Sequence, residues 1–511
     1  MADYDHIVIG AGSAGCTIAA RLTENPATDV LLLEAGGPNH DDARITSPQR
    51  AWELWNTPFD WAFTTEPQAG ALNRQIFWPR GKVVGGSSCL NGMIYIRGAA
   101  ADFDHWAYLG NAGWDYESVL PYFRKSEDYY GGASRYHGVG GPLTVSRHTS
   151  PNPLTDVFIE AAVRAGHPVN YDFSGPELAG VGYTDTTTRD GVRCSAAVAF
   201  LNPAHNRRNL KVQTGARSHH LLIEKGRCHG VVYERDGKLE TARATGEVIV
   251  SAGTIGSPHL LLLSGIGPAD DLKKLGIGVN ADLPGVGRNL HDHLLTFAIH
   301  EASREIPAPR HNVLEAHLFA KTDPRLPAPD HQPLFMCNAP PAHGLDIPPN
   351  SYAITPGIIR PVARGELKLT ANDPAAPIHI DPRYLSEPAD LSALVQSLEV
   401  SIEILESPVF AKWRKRSLWP KAKTRTEREQ WVRQTCETYH HQAGTCKMGI
   451  DAQSVVDPEL RVYGIEGLRV ADASIMPAVT SGNTNAASIM IGEKAADLVR
   501  GVKASALQAA A

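Results

Sequence analysis

The sequence lacks most of what would mark a membrane, secreted or nucleic-acid-binding protein. No apolar run approaches the roughly 20 residues needed to cross a bilayer. Positive charge is not in excess: 49 Lys and Arg stand against 55 Asp and Glu, a net −6, whereas a nucleic-acid surface is basic. Cysteine is scarce and scattered. Seven occur in 511 residues, at 16, 89, 194, 228, 337, 436 and 446, with no Cys-x-x-Cys pair. That pattern argues against a disulfide framework or a zinc site and reads as reduced thiols in a cytoplasm. Met1-Ala2-Asp3-Tyr4-Asp5 leads straight into the first apolar run, so no signal peptide is expected. Internal repeats and long low-complexity segments are missing, and residues 504–511 read as a frayed tail.

What is present begins at once. Ile7-Val8-Ile9 is a buried-strand run, followed by Gly10-Ala11-Gly12-Ser13-Ala14-Gly15 and a helix opening at Cys16-Thr17-Ile18. Val30-Leu31-Leu32-Leu33 is a second buried strand and Glu34 stands at its end. Strand, glycine turn, helix, strand and terminal acid make a dinucleotide-binding unit. Gly10 permits the tight turn, Gly12 lets the backbone approach a pyrophosphate, and Gly15 lets helix and sheet pack closely. The helix N-terminus offers free N–H groups to phosphate, and Glu34 is placed to accept from a ribose. The fingerprint alone does not separate NAD from FAD.

Residues 38–77, with Trp52, Trp55 and Trp61, read as an irregular excursion. A second glycine- and hydroxyl-rich loop follows, from Arg80-Gly81-Lys82 through Gly85-Gly86-Ser87-Ser88 to Asn91-Gly92, and runs into apolar Met93-Ile94-Tyr95-Ile96. Its backbone N–H groups suit ligand oxygens. Short helices are expected over 100–130 and an amphipathic helix over 152–166, and strand patterns recur at 207–224, 230–233 and 247–250. The last of these leads to a helix at Ser257-Pro258-His259, with Pro258 in its first turn and Gly265 just past its end. His291-Asp292-His293 reads as a hydrogen-bonded buried corner rather than a metal site, because no further ligands stand at a recognisable spacing. Residues 296–365 are rich in Pro and His and read as a second, capping domain. Strands are expected at 366–370 and 378–380, and helices over 391–405 and 426–438. Near the end, His440-His441-Gln442-Ala443-Gly444-Thr445 joins two histidines to a glycine corner. A buried strand ending at Asp472-Ala473 follows, then the polar turn Ser481-Gly482-Asn483-Thr484-Asn485 ahead of a helix from Ala486.

Together these segments resemble the glucose–methanol–choline family of FAD-dependent alcohol oxidoreductases over almost the whole chain. The opening fingerprint, the 81–104 segment and the 253–267 segment carry the resemblance, and the His441 and Asn483 segments agree in order. Choline and sorbose dehydrogenases and the hydroxymethylfurfural and pyridoxine oxidases are the members it is most similar to. The resemblance implies an α/β plus α+β fold: a Rossmann-type FAD-binding domain from 1–150, 185–295 and 430–511, and a discontinuous substrate-binding cap, built on an antiparallel sheet, from 151–184 and 296–429. It implies oxidation of a small primary alcohol to the aldehyde, by His-assisted proton abstraction and hydride transfer to flavin, with oxygen or an artificial or quinone acceptor taking the electrons. A non-redox flavoprotein lyase with structural FAD is the alternative.

By the same resemblance His441 and Asn483 are the catalytic pair. The cofactor-binding residues are Gly10, Gly12, Ser13, Ala14, Gly15, Glu34, Ala35, Trp61, Arg80, Gly85, Gly86, Ser87, Asn91, Gly92, Met93, Ile94, Ser218, Asp472, Ala473, Asn483 and Thr484. Ser218 stands where the family usually has Val. Leu90 stands where covalent-flavin members carry His, so non-covalent FAD is expected. Gln442 replaces a common Pro. No metal, nucleic acid or transmembrane segment is expected, and the short stretch from His293 to Gly365 implies a small or open pocket.

Overall fold

The computed structural model describes residues 3–38, 42–147, 150–309, 312–342 and 344–502. The tail expected to fray at 504–511 lies outside the described residues.

Branched apolar runs place the first sheet. Asp3–Ile9 pairs in parallel with Val30–Leu33 on one side and with the far end of Lys238–Val250 on the other. Leu210–Gln213 extends the sheet beyond Val30–Leu33, and Leu468–Val470 lies parallel to Val248–Val250. Arg227–Arg235 and Arg217–Glu224 add an antiparallel flank, giving seven strands. Val8, Leu32, Ile249 and Val470 are fully buried, as strands covered on both faces must be. The helices Ser13–Leu22 and Asn485–Val499 pack on each other, and Gly492 permits the approach: a Cβ there would lie 2.7 Å from the carbonyl of Ala14.

A second sheet is wholly antiparallel. Its order is Arg414–Trp419, Ala298–Ala302, Ser351–Thr355, Leu334–Met336, Ala316–Phe319 and Gly180–Tyr183. Pro388–Glu406 and Pro153–Arg164 pack beside it, and Phe158, Phe335, Tyr352, Leu398 and Phe410 fill its core. The expected Rossmann-type sheet and a separate antiparallel sheet are thus both present.

Two local readings are corrected. Pro258 is not in the first turn of its helix, which runs Gly253–Leu263. A proline there cannot donate to the carbonyl four residues back; the Thr445 hydroxyl donates to that Thr254 carbonyl instead, at 2.6 Å. The helix expected over 426–438 stops at Thr435. Glu437–Thr438 turns extended and pairs with Leu294–Leu295, which brings the His441 corner beside His293.

Candidate active site

One cavity of about 1170 Å³ runs between the two sheets. Every site residue named from the sequence lines it except Gly15 and Gly85. Those two act behind the wall. A Cβ on Gly15 would fall 1.9 Å from the carbonyl of Gly10, and Gly85 donates its N–H to the carbonyl of Ala11 at 2.7 Å. Gly10 has φ +100°, and its Cβ would meet Ser251 at 2.5 Å. Gly12 differs: a Cβ there meets no protein atom within 4 Å. The second glycine loop closes on the first, because a Cβ on Gly86 would lie 2.7 Å from Cα of Gly12.

Two helix N-termini meet at this end. Gly12 caps Ser13–Leu22 with no side-chain bond, and the Ser13 hydroxyl donates to Oδ1 of Asn485 at 2.7 Å, tying that start to the start of Asn485–Val499. Glu34 braces the turn: Oε2 accepts from the N–H of Ala11 at 2.9 Å and Oε1 from that of Gly36 at 2.8 Å. Burial pushes its carboxyl up to about 7 despite these bonds. Asp472 takes the Ser474 N–H on Oδ1, and the Gly253 N–H and Ser257 hydroxyl on Oδ2. It caps the turn Ala473–Ile475, as the sequence allowed, and joins three segments. Two features suit a nucleotide cofactor: the open space above Gly12, and the buried Ser218 hydroxyl, which has no protein partner.

The other end holds the histidines. Asp292 is buried, and burial raises its carboxyl above the ordinary 3.8 while donors pull it back. Its Oδ1 accepts from the backbone N–H of His441 at 2.8 Å. Its Oδ2 accepts from the hydroxyls of Thr438 and Tyr384, both at 2.5 Å, and from Nε2 of Gln442 at 3.0 Å. Gln442, standing where the family often has Pro, thus fixes the turn by a side-chain bond.

His441 is 7% exposed. Its Nε2 lies 3.0 Å from Nδ2 of Asn483, and its Nδ1 lies 3.0 Å from Nδ1 of His293. An amide nitrogen only donates, so Nε2 of His441 accepts and its proton sits on Nδ1, donated to His293. The oxygen of Asn483 is in turn held by Nε2 of Gln332 at 3.4 Å. Burial, with His293, His440 and Arg80 nearby, holds His441 well below the ordinary histidine range. Burial also lowers His293 to about 3. Both rings are neutral at pH 7.

His440 does not join them. It is half-buried at φ +67°, edge-on to Trp55 at 5.1 Å, and its carbonyl accepts from Nη2 of Arg80 at 2.5 Å. The 291–293 corner is buried and hydrogen-bonded, as expected: Nε2 of His291 accepts from the N–H of Val479 at 2.8 Å, and its Nδ1 donates to the carbonyl of Asn289 at 2.5 Å. The sequence reading missed that two residues of this corner, Asp292 and His293, hold His441, and that Gln332 holds Asn483. No local signal marks these contacts, which span 148 to 151 residues.

Two family models described as GMC oxidoreductase match residues 4–295 and 361–492. The chain belongs to the GMC oxidoreductase family. It is 42% identical to mitochondrial choline dehydrogenase of Homo sapiens, over 98% of this chain and 90% of that one. It is 40% identical to the oxygen-dependent choline dehydrogenase of Sinorhizobium medicae, over 97% of this chain and 95% of the other. Among solved structures, pyridoxine 4-oxidase from Mesorbium loti superposes with a TM-score of 0.95 at 34% identity, covering 98% of this chain and 100% of that one. The present chain is accordingly an FAD-dependent oxidoreductase acting on CH–OH donors.

Proposed function

We propose that the protein oxidises a small primary alcohol to the aldehyde, with His441 as the general base and Asn483 positioning the substrate oxygen. One observation carries this reading: Nε2 of His441 is an unprotonated acceptor held by the Asn483 amide, and both residues line the cavity. A substrate hydroxyl that takes the place of the Asn483 amide at Nε2 of His441 donates its proton to that nitrogen. The Nδ1–H···Nδ1 bond to His293 keeps the ring in the tautomer that allows this. Nδ2 of Asn483 then serves the substrate oxygen as negative charge develops on it. General-base help of this kind is worth roughly 10²–10⁴-fold.

FAD, when bound, supplies the two-electron acceptor. On this reading the turn of Gly10 to Gly15 and the N-terminus of Ser13–Leu22 take its pyrophosphate, Glu34 its adenosine ribose, and the Ser218 strand its adenine. Arg80, Ser87, Asn91 to Ile94, Asp472, Ala473 and Thr484 line the remainder. Leu90, where covalent-flavin members carry His, supports non-covalent binding. Oxygen or another acceptor completes the cycle. The domain segments 1–150, 185–295 and 430–511 against 151–184 and 296–429 belong to this proposal, supported by the two sheets described above. So does a cytoplasmic site, which seven scattered, buried cysteines support. The relatives reported above are oxidoreductases and give the lyase alternative no support.

The test is anaerobic mixing of the purified yellow holoprotein with primary alcohols while following its visible absorbance. Bleaching is expected, and readmitted oxygen separates an oxidase from a dehydrogenase. No bleaching by any member of a broad panel, with FAD shown to be bound, would contradict the reading.

A further inference from the structure

The part of the second glycine-loop segment that follows Ile96 lines no wall of the cavity, yet it packs on the turn that presents Asn483. Gly98 has φ +97°, and a Cβ there would lie 2.9 Å from Oδ2 of Asp102 and 2.9 Å from Cβ of Thr480. A Cβ on Gly482 would run into the side chain of Ile96. The two glycines let the 96–98 segment and the 480–482 turn touch.

The helix Ala100–Tyr108 then grips the same turn through Asp102 and Trp106, four residues apart and so on one face. Nε1 of Trp106 donates to the carbonyl of Ala478 at 2.9 Å. Asp102 is buried, and donors fill both its oxygens. Oδ2 accepts from the N–H of Ser481 at 2.6 Å and from that of Ala99 at 2.9 Å. Oδ1 accepts from the Ser481 hydroxyl and from Nη1 of Arg360, both at 2.8 Å. Nη1 of Arg360 also donates to Oγ of Ser481 at 3.2 Å. Neither Asp102, Ser481 nor Arg360 lines the cavity.

Asn483 needs such a hold. The bond its oxygen takes from Gln332, at 3.4 Å, is longer than the roughly 2.7–3.2 Å of an ordinary N–H···O bond. Bonds to a carboxylate are stronger than neutral ones, and those of Asp102 fix the turn two residues before Asn483. Arg360 connects this clasp to the histidine side. It stands two residues past the strand Gly357–Ile358, which pairs with Leu294–Leu295, and that strand pairs in turn with Glu437–Thr438. One three-stranded sheet thus registers His441 through His293, and Asn483 through Arg360, Asp102 and Ser481.

We infer that Asp102, paired with Arg360, is the positioning residue that sets the Asn483 amide against His441, and that the rate of alcohol oxidation depends on this clasp although it lies outside the cavity. This rests on the role given to Asn483 above.

The experiment is anaerobic flavin reduction of the holoenzyme by benzyl alcohol, 1-butanol or choline, whichever bleaches the wild type fastest, over a range of concentrations. Asp102→Asn is expected to keep the FAD spectrum and to lower the limiting rate roughly 10–100-fold, the scale of an ångström-sized misplacement, with a smaller change in the half-saturating concentration. Asn483→Ala is expected to lose roughly 10²–10³-fold. The D102N/N483A double variant should reduce within about twofold of N483A alone, because Asp102 has nothing left to position. A wild-type rate in FAD-loaded D102N, or a double variant slower than N483A by the full D102N factor, would overturn the inference and leave alcohol oxidation standing. A wild-type rate in N483A, or no bleaching of the wild type by all three alcohols, would overturn the reading of Asn483 and this inference with it. Ser481→Ala deletes one hydroxyl of the clasp and keeps the Asp102–Arg360 pair. It is expected to slow reduction severalfold with the same coupling to N483A, and it decides the question should D102N fail to load FAD.

Discussion

Nδ2 of Asn483 stands 3.0 Å from Nε2 of His441. Because the amide nitrogen can only donate, this contact fixes which imidazole nitrogen carries the lone pair. Asn483→Asp puts an acceptor where the donor was and draws a proton onto Nε2. We expect kcat to fall roughly 10²–10³-fold, the range seen when one oxyanion donor is lost, with the FAD spectrum retained. Steady-state kinetics beside the visible spectrum checks it; unchanged kcat would remove Asn483 from the site.

The opposite face of the ring depends on His293, whose Nδ1 lies 3.0 Å from Nδ1 of His441. His293→Leu leaves that N–H without its acceptor, at a cost of about 1–3 kcal/mol. The expected result is a fall in kcat larger than any rise in KM, with partial rescue by His293→Asn. Equal kcat in the Leu and wild-type proteins would make His293 a packing residue.

Acid should unfold this protein early. His291, His293, His317, His331 and His441 are all buried, and burial holds each below the ordinary 6.5. Above pH 6.5 folded and unfolded states carry them alike as neutral rings. Below it the unfolded chain takes up protons that the folded chain refuses, so stability falls as pH drops. Each ring adds up to about 1.4 kcal/mol of lost stability per pH unit until its folded value is reached. A steep drop in Tm from pH 6.5 to 5 by scanning calorimetry is expected; a flat Tm over that range would contradict the burial argument.

The glycine turn gives a paired test. Gly12 has φ −82°, and its Cβ would point into open space, so Gly12→Ala should fold with wild-type Tm as apoprotein and lose FAD affinity. Gly15→Ala drives a Cβ to 1.9 Å from the carbonyl of Gly10 and should cost several kcal/mol, within the range of severe overpacking. Equilibrium dialysis of FAD with thermal unfolding of both variants separates the two glycines. Wild-type FAD binding by the Gly12→Ala protein would refute the cradle.

What was legible in the sequence was local. The run Asp3–Ile9, the turn and Val30–Leu33 form one contiguous unit in which each residue type has a steric reason, so reading the order gave the geometry. The His441 and Asn483 positions were reached through resemblance, because a histidine in a glycine corner has no distinguishing pattern of its own. The contacts of His441 with Asp292 and His293, and of Asn483 with Gln332, join residues 148 to 151 positions apart. Sheet pairing of Leu294–Leu295 with Glu437–Thr438 brings the first two together, and periodicity does not encode such pairings. Pro258 misled for a related reason: the hydroxyl that satisfies its helix comes from Thr445, 191 residues away.

The central claim is that His441 takes the substrate proton, and the most direct measurement is stopped-flow flavin reduction of wild type and His441→Gln with the best alcohol, without oxygen. The account predicts that H441Q stays yellow with bound FAD and bleaches roughly 10²–10⁴-fold more slowly. Its residual rate should rise with pH as the alcohol ionises unaided, while the wild-type rate stays flat from pH 6.5 upward. Wild-type bleaching by the FAD-loaded H441Q protein would contradict it.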